Sequence, residues 1–404
     1  MRVIYNTGIA IYIFALHIVA LFNRKVKTML QGEARCFDTL KTINPEDRVV
    51  WFHCASLGEF EQGRPLIEAL KAGNPNHKIL LSFYSPSGYE IRKDYSFAEW
   101  VVYLPNDTES NARKFVSYAN PRLTFFVKYE FWYNYLKALK GRRVFQVSLI
   151  LRPDQYFFKP YGKWFVRRLE VFEHFFVQNE QTLELLESAG YKNVSISGDT
   201  RFDRVAQIAK NAKRFPQVEK FCSSGEKILL AGSSWEEDEN IIARLPKDIV
   251  LKYIIAPHVV SEAHIKALLN LFPEAVLYSE AGNHDLSKKK VLIIDCIGIL
   301  SSLYGYCDIA YIGGGFGAGI HNTLEAATFG KPVCFGTNYK HFQEAVNLVE
   351  RKAAFCIRNT EELTRVLERL CNDIPFYDRS AGAALDYTRE KAGACKIILD
   401  YLKA

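Results

Sequence analysis

Short apolar runs alternate with amphipathic stretches along almost the whole chain. In the first half the runs are RVVWFHC, KILLSFY, EWVVYLP, RLTFFVKY, RVFQVSLI, HFFVQN and NVSISGD, separated by stretches such as QGRPLIEALKAG and ESNARKFVSYA. In the second half they are KILLAGSS, VLKYIIAPH, EAVLYSE, KVLIIDC, DIAYIGGG and KPVCFG. Because these runs lack a period of two, they are typical of strands buried on both faces. The pattern therefore predicts parallel sheets built from βαβ units.

A polar, lysine-rich stretch separates the two halves. It is RVAQIAKNAKRFPQVEKFCSSGEK, residues 204–227, and we place a domain boundary inside it. A length of 404 residues also favours two domains. We expect one doubly wound domain over residues 24–215 and a second over 216–404, which ends in a long helical tail. Ligands of such sheets bind beyond the carboxyl ends of the strands, so two facing domains imply a cleft lined by those loops.

The first residues, 1–23, predict a membrane anchor. Between Val3 and Phe22 there is no Asp, Glu, Lys or Arg, and the basic sequence NRKVK follows at once. A helix of this length crosses ~30 Å of hydrocarbon, and the excess of positive charge after it places the following domains on the cytoplasmic side. No small-residue cleavage site follows, so we expect the anchor to be retained. An interfacial helix or a buried first helix would fit the same residues.

Composition and charge narrow the class of partner. The net charge is +7, which suits an anionic substrate, an acidic membrane surface or nucleic acid. Arg, Lys and aromatic residues are interleaved over 151–176; beside an anchor this favours anionic lipid headgroups over nucleic acid, although a solvated helix face is the simpler alternative. The nine cysteines include no C-x-x-C pair, so we expect a reducing compartment and neither a disulfide framework nor a zinc site.

The segment DIAYIGGGFGAGIHNTLEAATFGKPVCFG, residues 308–336, indicates a nucleotide site. A predicted strand is followed by five glycines from Gly313 to Gly319 and by a helix that begins near Asn322. Glycines let backbone N–H groups approach a phosphate, and a helix N-terminus favours negative charge. Glu325, one turn into the helix, could accept the hydroxyls of a ribose. A dinucleotide site does not fit, because no acid follows at the required spacing. A tight turn with a buried capping glutamate is the alternative.

Polar residues follow several other predicted strands. His258, after Pro257, could hydrogen-bond a phosphate or a base, although a lone histidine is often structural. Glu59 in SLGE and Glu130 in YEFW would both face the cleft, where paired carboxylates can do acid/base work or hold basic groups. Arg201 lies between two aspartates, so a local ion pair is its alternative role. Because no H-E-x-x-H, G-x-S-x-G or G-K-[ST] motif appears, we expect no metal and no P-loop chemistry.

Taken in order, these motifs resemble those of the Kdo transferases. That family consists of membrane-associated GT-B glycosyltransferases of lipopolysaccharide assembly, which move 3-deoxy-D-manno-octulosonic acid (Kdo) from CMP-Kdo to a lipid A precursor. The likeness runs from the anchor to the C-terminal helix, and its motifs are SLGE, YEFW, GDTRFD, PH, IGIL and HNTLE. It implies a GT-B fold, CMP-Kdo as donor, lipid IVA as acceptor, no cofactor or metal, and the cytoplasmic face of the inner membrane as location.

The resemblance also implies roles for individual residues. Glu59 matches the catalytic base of an inverting single displacement, and Glu130 and Arg201 match positions that stabilise the transition state. The residues that match the CMP contacts are Pro257, His258, Ile297, Gly298, Ile299, Asn322, Thr323, Leu324 and Glu325. Two positions depart from the family pattern, since Arg201 stands where a lysine is frequent and Pro257 where an arginine is frequent. The glycine-rich loop also differs in composition from the usual form.

Other kinds of protein remain open. Another GT-B nucleotide-sugar enzyme, such as a UDP-sugar transferase or epimerase, would share the C-terminal site but not SLGE together with YEFW. A non-catalytic, membrane-tethered nucleotide-binding protein would tolerate the loss of Glu59. A reductase would bind a dinucleotide. Binding of CMP or CTP in preference to UDP would distinguish a Kdo transferase from these alternatives.

Overall fold

The computed structural model describes residues 2–155, 162–247, 249 and 251–403, and the chain divides into two compact units. Unit 1 contains residues 1–204 and 392–404, and unit 2 contains residues 205–391. Each unit is built on one seven-stranded parallel sheet with helices packed on it. The predicted pair of doubly wound domains is thus confirmed.

Unit 1 begins with two helices, α1 (Arg2–Ala20) and α2 (Arg24–Leu40). Its strands are β1 (Val49–His53), β2 (Lys78–Phe83), β3 (Trp100–Tyr103), β4 (Leu123–Val127), β5 (Arg143–Leu149), β6 (His174–Val177) and β7 (Val194–Ile196). Its other helices are α3 (Leu57–Gly73), α4 (Pro86–Arg92), α5 (Glu109–Ala119), α6 (Tyr133–Ala138), α7 (Lys163–Val166), α8 (Glu180–Ser188), the start of α9 (Arg201–Lys210), and α18 (Ala394–Lys403). The strands lie in the order β3-β2-β1-β4-β5-β6-β7.

Strand β1 shows why the apolar runs lack alternation. All five of its residues are buried. Val49 and Trp51 belong to the apolar core on one face of the sheet, whereas Val50 and Phe52 belong to the core on the other face. Because helices cover both faces, every position of the strand must be apolar or hydrogen-bonded.

Unit 2 has the same architecture. Its strands are β8 (Lys227–Ser234), β9 (Leu251–Pro257), β10 (Val276–Leu277), β11 (Val291–Ile293), β12 (Ile309–Ile312), β13 (Val333–Phe335) and β14 (Ala354–Cys356). Its helices are α10 (Pro216–Cys222), α11 (Glu236–Ala243), α12 (Glu262–Leu271), α13 (Leu300–Leu303), α14 (Leu324–Ala327), α15 (Gln343–Glu350), α16 (Thr360–Asn372) and α17 (Ile374–Lys391). The strands lie in the order β10-β11-β9-β8-β12-β13-β14.

The first boundary between the two units lies at 204/205, whereas the predicted boundary was at 215/216, and a second boundary lies at 391/392. The predicted helical tail is two helices, separated at Gly393, whose φ is +116°. The second, α18, belongs to unit 1, where Ile398 joins the core of the sheet. Asp203 accepts hydrogen bonds from the backbone N–H groups of Gly393 and Cys395 at 2.9 and 3.3 Å, and so holds the first turn of α18. Sequence periodicity gives α18 an apolar stripe but does not say which sheet that stripe covers.

Helix α1 is the predicted anchor, and within the described part of the chain it is the helix long and apolar enough to cross a membrane. It is also bonded to the body of unit 1 from its first turn onwards. Arg2 forms an ion pair with Glu109. Three side-chain hydrogen bonds of 2.7–3.0 Å follow, which are Tyr5 to Asp107, Asn134 to Asn6, and Tyr84 to Tyr12. The large apolar side chains that it leaves exposed are Val3, Ile4, Ile11, Phe14, Ile18 and Val19.

Candidate active site

The topology of each sheet creates one crevice at the carboxyl ends of its strands. In unit 1, β1 lies between β2 and β4, so the connections that follow β1 and β4 depart to opposite sides. In unit 2, β8 and β12 have the same relation. Open α/β sheets bind ligands at such points. Glu59 and Glu130 follow the two strands of the first pair, and Trp235 and the glycine-rich segment follow those of the second.

Glu59 lies in the first turn of α3 and is only 7% exposed. Its carboxylate accepts a hydrogen bond from the backbone N–H of Ala55, in the turn after β1. Burial raises the pKa of Glu59 to about 7, and the charge of Glu130 acts in the same direction. The N–H groups of Ala55 and Ser56 and the charge of Lys128 oppose this rise. Glu59 is therefore a carboxyl group that exchanges its proton near neutral pH.

Glu130 lies in the loop after β4, and its side chain is 16% exposed. One of its oxygens, Oε2, is 2.9 Å from the indole nitrogen of Trp132 and 3.7 Å from Nε2 of His53. The same indole nitrogen is 3.0 Å from His53 Nε2. The structure thus brings the two predicted carboxylates together, since each follows a strand of the same crevice and the charge of Glu130 acts on Glu59.

Arg201 forms the ion pair that its neighbours suggested. Its guanidinium lies 2.8 Å from the carboxylate of Asp199, which also accepts the backbone N–H of Arg201 at 2.9 Å. Burial raises the pKa of Asp199, but the contacts with Arg201 outweigh it and hold this pKa below its ordinary value. Gln62, on α3, donates a further hydrogen bond of 3.1 Å to Asp199. Arg201 is thereby held against the helix that carries Glu59.

The glycine-rich segment of unit 2 is shaped by backbone packing. A Cβ atom on Gly313 would overlap the backbone of Ser233 on β8, and Gly314 has a φ of +90°, which disfavours other residues. Hydrogen bonds of 2.9–3.3 Å within unit 2 already engage the backbone N–H groups of four glycines, Gly313, Gly314, Gly317 and Gly319. These glycines therefore allow close packing of β12 against its neighbours, and the N–H groups of these four are bonded within unit 2.

Three aromatic rings stack at the crevice of unit 2. The ring of His258 stacks on those of Trp235 and His321, at centroid distances of 4.8 and 4.4 Å and interplanar angles of 24° and 21°. The indole N–H of Trp235 donates to Nε2 of His321 at 3.1 Å. Burial and the adjacent His258 lower the pKa of His321 to about 4, so its imidazole is neutral and accepts this bond at neutral pH. Trp235 is 43% exposed, so this stack presents an open aromatic face.

The other predicted nucleotide residues lie on two loops of unit 2. Ile297, Gly298 and Ile299 follow β11, two strands from β8 in the sheet. Asn322 accepts a hydrogen bond from the backbone N–H of Leu324 and donates one to Glu325, each of 3.1 Å. Leu324 is buried, so its side chain cannot contact a ligand. Among the described residues, the buried hydroxyl of Thr323 has no hydrogen-bond partner.

A cavity of about 1040 Å³ opens beside the ring stack. Its aromatic lining is Trp235, Phe316 and His321, and its charged lining includes Arg244, Arg358, Glu236, Glu237 and Glu361. Apart from His321, the first residue of HNTLE, sequence reasoning singled out none of the aromatic lining. No group of three or more His, Cys, Asp or Glu side chains is placed to hold a metal ion in the part of the chain that the structure describes.

Comparison with known proteins finds similarity to Kdo transferases. The family model described as 3-deoxy-D-manno-octulosonic-acid transferase (kdotransferase) matches residues 31–204, almost all of the first segment of unit 1. A 3-deoxy-D-manno-octulosonic acid transferase of Haemophilus influenzae is 24% identical over 375 residues, which cover 89% of this chain and 87% of that protein. The chain is thus similar to Kdo transferases over most of its length.

A second Kdo transferase, a longer bifunctional protein and a solved structure are also similar to this chain. A Kdo transferase of Aquifex aeolicus is 27% identical over 352 residues, 83% of this chain and 91% of that protein. A bifunctional glycosyltransferase/methyltransferase of Fusobacterium nucleatum is 27% identical over 378 residues, and the match spans 56% of that longer protein. The UDP-GlcNAc 2-epimerase of Neisseria meningitidis superposes with a TM-score of 0.62 at 17% identity, over 88% of this chain and 99% of its own. This last likeness shows the GT-B fold alone.

Three residues of these two sites were missed by sequence reasoning. They are His53 and Trp132 in unit 1 and Trp235 in unit 2. Each lies at or after the end of a strand that borders a crevice. That position at a strand end is the feature of the sequence from which they could have been predicted. Their partners come from other strands, however, and a single sequence does not show which strand ends are neighbours. The roles of the residues that were predicted for catalysis and for CMP binding remain predictions for the Kdo transferase site.

Proposed function

We propose that this protein transfers Kdo from CMP-Kdo to a sugar hydroxyl of lipid IVA, with Glu59 as general base. The match to the Kdo transferase family and the printed activity of the relatives from Haemophilus and Aquifex support transfer of Kdo. The observation that carries the proposed mechanism is the buried Glu59, whose pKa is raised to about 7 beside a second carboxylate.

A sugar hydroxyl needs a base, because its pKa is far above neutral pH. A general base is most effective when its own pKa is near the working pH, and Glu59 meets that condition. In an inverting single displacement, Glu59 takes the acceptor proton as the acceptor oxygen bonds to the anomeric carbon of Kdo. The bond from that carbon to the phosphate oxygen breaks at the same time, and CMP leaves with the bonding electron pair.

Glu130 and Arg201 would assist this step. The negative charge of Glu130 keeps the pKa of Glu59 high, so that Glu59 is a strong enough base when it is ionised. Arg201 contributes a positive charge fixed by its ion pair with Asp199. We assign to Arg201 the stabilisation of negative charge on the departing phosphate, as a preorganised cation that costs little to reorganise.

We assign CMP-Kdo to unit 2. The exposed indole of Trp235, backed by His258 and His321, offers a planar surface on which a cytosine can stack. The loop Ile297–Gly298–Ile299 and the Asn322–Glu325 segment would contact the nucleotide as in the family. Among these, the buried Thr323 hydroxyl lacks a partner, and a modest opening of its turn would let it bind a substrate oxygen.

We further propose that α1 binds the cytoplasmic face of the inner membrane while lying in its plane. A helix of 19 residues is about 28 Å long, so a spanning α1 would carry Arg2, Tyr5 and Asn6 to the far side of the bilayer. Those residues instead bond to unit 1. The exposed apolar side chains of α1 and the Arg and Lys residues that follow it suit an interfacial helix on an anionic surface.

The transferase proposal is tested by incubating the protein with lipid IVA and CMP-Kdo made in situ, and by measuring the product mass. We expect wild type to add Kdo and Glu59→Gln to be slower by about 10²- to 10⁴-fold. Glu61→Gln is the matched control. It removes a carboxylate from the same helix, but one that is paired with Arg92. A wild-type rate in Glu59→Gln would exclude Glu59 as the base.

The donor is tested by thermal shift. We expect CMP or CTP to raise the melting temperature more than UDP does at the same concentration. A preference for UDP, together with no Kdo product from wild type, would favour the alternative of another nucleotide-sugar enzyme, which the shared fold with a UDP-GlcNAc epimerase allows.

The membrane proposal is tested by sedimentation with vesicles that contain anionic phospholipid. Phe14 is 69% exposed on α1, and placing a charge there should weaken binding by about tenfold or more, since one buried Phe side chain contributes about 1.5–3 kcal/mol. Ile374→Glu is the control, because it makes a similar change at a 67% exposed position of unit 2. A specific role of α1 would be contradicted if the Phe14 variant and Ile374→Glu lost vesicle binding equally, or if neither variant lost it.

A further inference from the structure

A buried histidine lies beside Glu130, and the mechanism above gives it no role. His53 is the final residue of β1 and is fully buried. Its Nδ1 is 2.9 Å from the hydroxyl of Ser82 on β2, and its Nε2 is 3.0 Å from the indole nitrogen of Trp132. Both ring nitrogens are therefore engaged, one toward the sheet and the other toward the loop that carries Glu130.

The donors fix the direction of these bonds. An indole nitrogen can only donate, so Nε2 of His53 is the acceptor of its bond with Trp132, and Nδ1 then carries the proton. The Ser82 hydroxyl accepts from Nδ1 and from the indole of Trp51 at 2.8 Å, and it donates to the Phe52 carbonyl at 3.5 Å. With the neutral Nδ1–H tautomer, the two ring nitrogens of His53, the Ser82 hydroxyl and both indole N–H groups all have hydrogen-bond partners.

The Trp132 N–H is shared between two acceptors. It lies 3.0 Å from Nε2 of His53 and 2.9 Å from Oε2 of Glu130. Aromatic contacts limit the rotation of the indole, since Tyr84 packs on it at 4.8 Å and the His53 ring meets it edge-on at 5.9 Å. The carboxylate of Glu130 is held by a donor whose own position is set by the imidazole.

We propose that His53 is a positioning residue for Glu130 and acts through the indole N–H of Trp132. Nε2 of His53 accepts one branch of the shared hydrogen bond from the Trp132 N–H. This bond keeps the indole nitrogen facing the carboxylate of Glu130. The inference rests on the proposed function, in which Glu130 acts on the base Glu59. Loss of the imidazole would let the indole and the carboxylate turn away while the sheet stays folded.

Kinetic variants separate positioning from packing. His53→Asn keeps a polar group near Ser82 but cannot reach Trp132, whereas the longer side chain of His53→Gln can offer an acceptor near the Nε2 position. Trp132→Phe keeps the ring but removes the N–H. We expect kcat to fall by about ten- to a hundredfold in His53→Asn and in Trp132→Phe, and less in His53→Gln. The Kd for CMP should not change.

The double variant gives the sharper test. If His53 acts through the Trp132 N–H, then His53→Asn combined with Trp132→Phe should lose no more kcat than Trp132→Phe alone. Additive losses, or a wild-type kcat in His53→Asn, would overturn the proposal. His174→Asn is the matched control, since His174 is a buried strand histidine whose Nε2 is 2.8 Å from the hydroxyl of Ser195. It should leave kcat unchanged.

A measurement without turnover keeps the two proposals separable. The indole N–H proton resonance of Trp132, assigned by its absence in Trp132→Phe, should move in both His53→Asn and Glu130→Gln, and stay in place in His174→Asn. An unmoved resonance would overturn the positioning role even if wild type transfers Kdo. A moved resonance in a protein that transfers no Kdo would instead overturn the proposed function and leave the shared N–H established. If His53→Asn does not fold, His53→Gln carries the test, because its changed acceptor should still move the Trp132 resonance, and an unmoved resonance would overturn the proposal.

Discussion

Replacing Glu59 by glutamine should stabilise the protein at alkaline pH while it removes the proposed base. Burial and the charge of Glu130 raise the pKa of Glu59 from 4.5 to about 7 in the folded state. In the unfolded chain the carboxyl titrates at its ordinary value. A pKa raised by folding means that the protonated form favours the folded state. Its contribution is complete below about pH 4.5 and is lost as the pH rises through about 7.

The size of this effect follows from the two pKa values. They differ by about 2.5, and a tenfold change in an ionisation constant corresponds to about 1.4 kcal/mol. The ionised Glu59 therefore lowers the free energy of unfolding by about 3 kcal/mol at pH 8.5. At pH 5 the cost is below about 1 kcal/mol, because the folded state keeps its proton. Glutamine resembles the protonated acid and can still accept the N–H of Ala55, so it should remove this cost.

Urea unfolding at pH 5 and at pH 8.5 measures the effect. The near-UV signal reports mainly on unit 1, where four of the five tryptophans lie, including the buried Trp51. We expect Glu59→Gln to exceed wild type in free energy of unfolding by about 3 kcal/mol at pH 8.5 and by less than about 1 kcal/mol at pH 5. Glu61→Gln, which loses an ion pair with Arg92, should cost at most about 1 kcal/mol at either pH. The reasoning is refuted if Glu59→Gln has the same effect at both pH values or is less stable than wild type at pH 8.5.

Three further outcomes follow from the same contacts. Glu130→Gln should lower the pKa of Glu59, so the acid limb of the pH profile of kcat/KM should move to lower pH; an unmoved limb would show that the two carboxylates do not interact. Trp235→Ala should weaken CMP about tenfold by calorimetry, and Trp235→Phe much less, if a base stacks on this ring. Gly313→Ala should lower the melting temperature through a cost of about 1–3 kcal/mol, since its Cβ meets backbone, whereas Gly382→Ala, which has open space, should not.

Most of the sheet architecture could be predicted from the sequence, because strands buried on both faces must be apolar. Each of the thirteen apolar runs contains a strand of the parallel sheets. The fourteenth strand, β14 (Ala354–Cys356), was not predicted, since it directly follows a charged stretch. Likewise α18 has a clear apolar stripe, but its place in unit 1 depends on Asp203, which is remote in sequence.

The candidate site was only partly predictable, for a related physical reason. Glu59 and Glu130 were found because a carboxylate after an apolar strand is unusual. Trp132 and His53 were not singled out, since aromatic and histidine side chains near a strand end are ordinary until their partners are known. The glycine-rich segment suggested N–H groups free for a phosphate. Bonds to Gly232 on β8 and to Asp238 on α11 engage two of those N–H groups, and that pairing depends on the fold.

The two pieces of unit 1 have a consequence for the order of folding during synthesis. Unit 2 is a single stretch of chain, residues 205–391, whereas unit 1 also requires residues 392–404. The ribosome makes those residues last, so unit 1 cannot complete its fold before synthesis ends. Until then the surface that α18 covers, including the neighbourhood of Phe145 beneath Tyr401, stays open to water and to chaperones. A released chain that lacks residues 392–404 should therefore present a protease-resistant unit 2 and a still-sensitive unit 1.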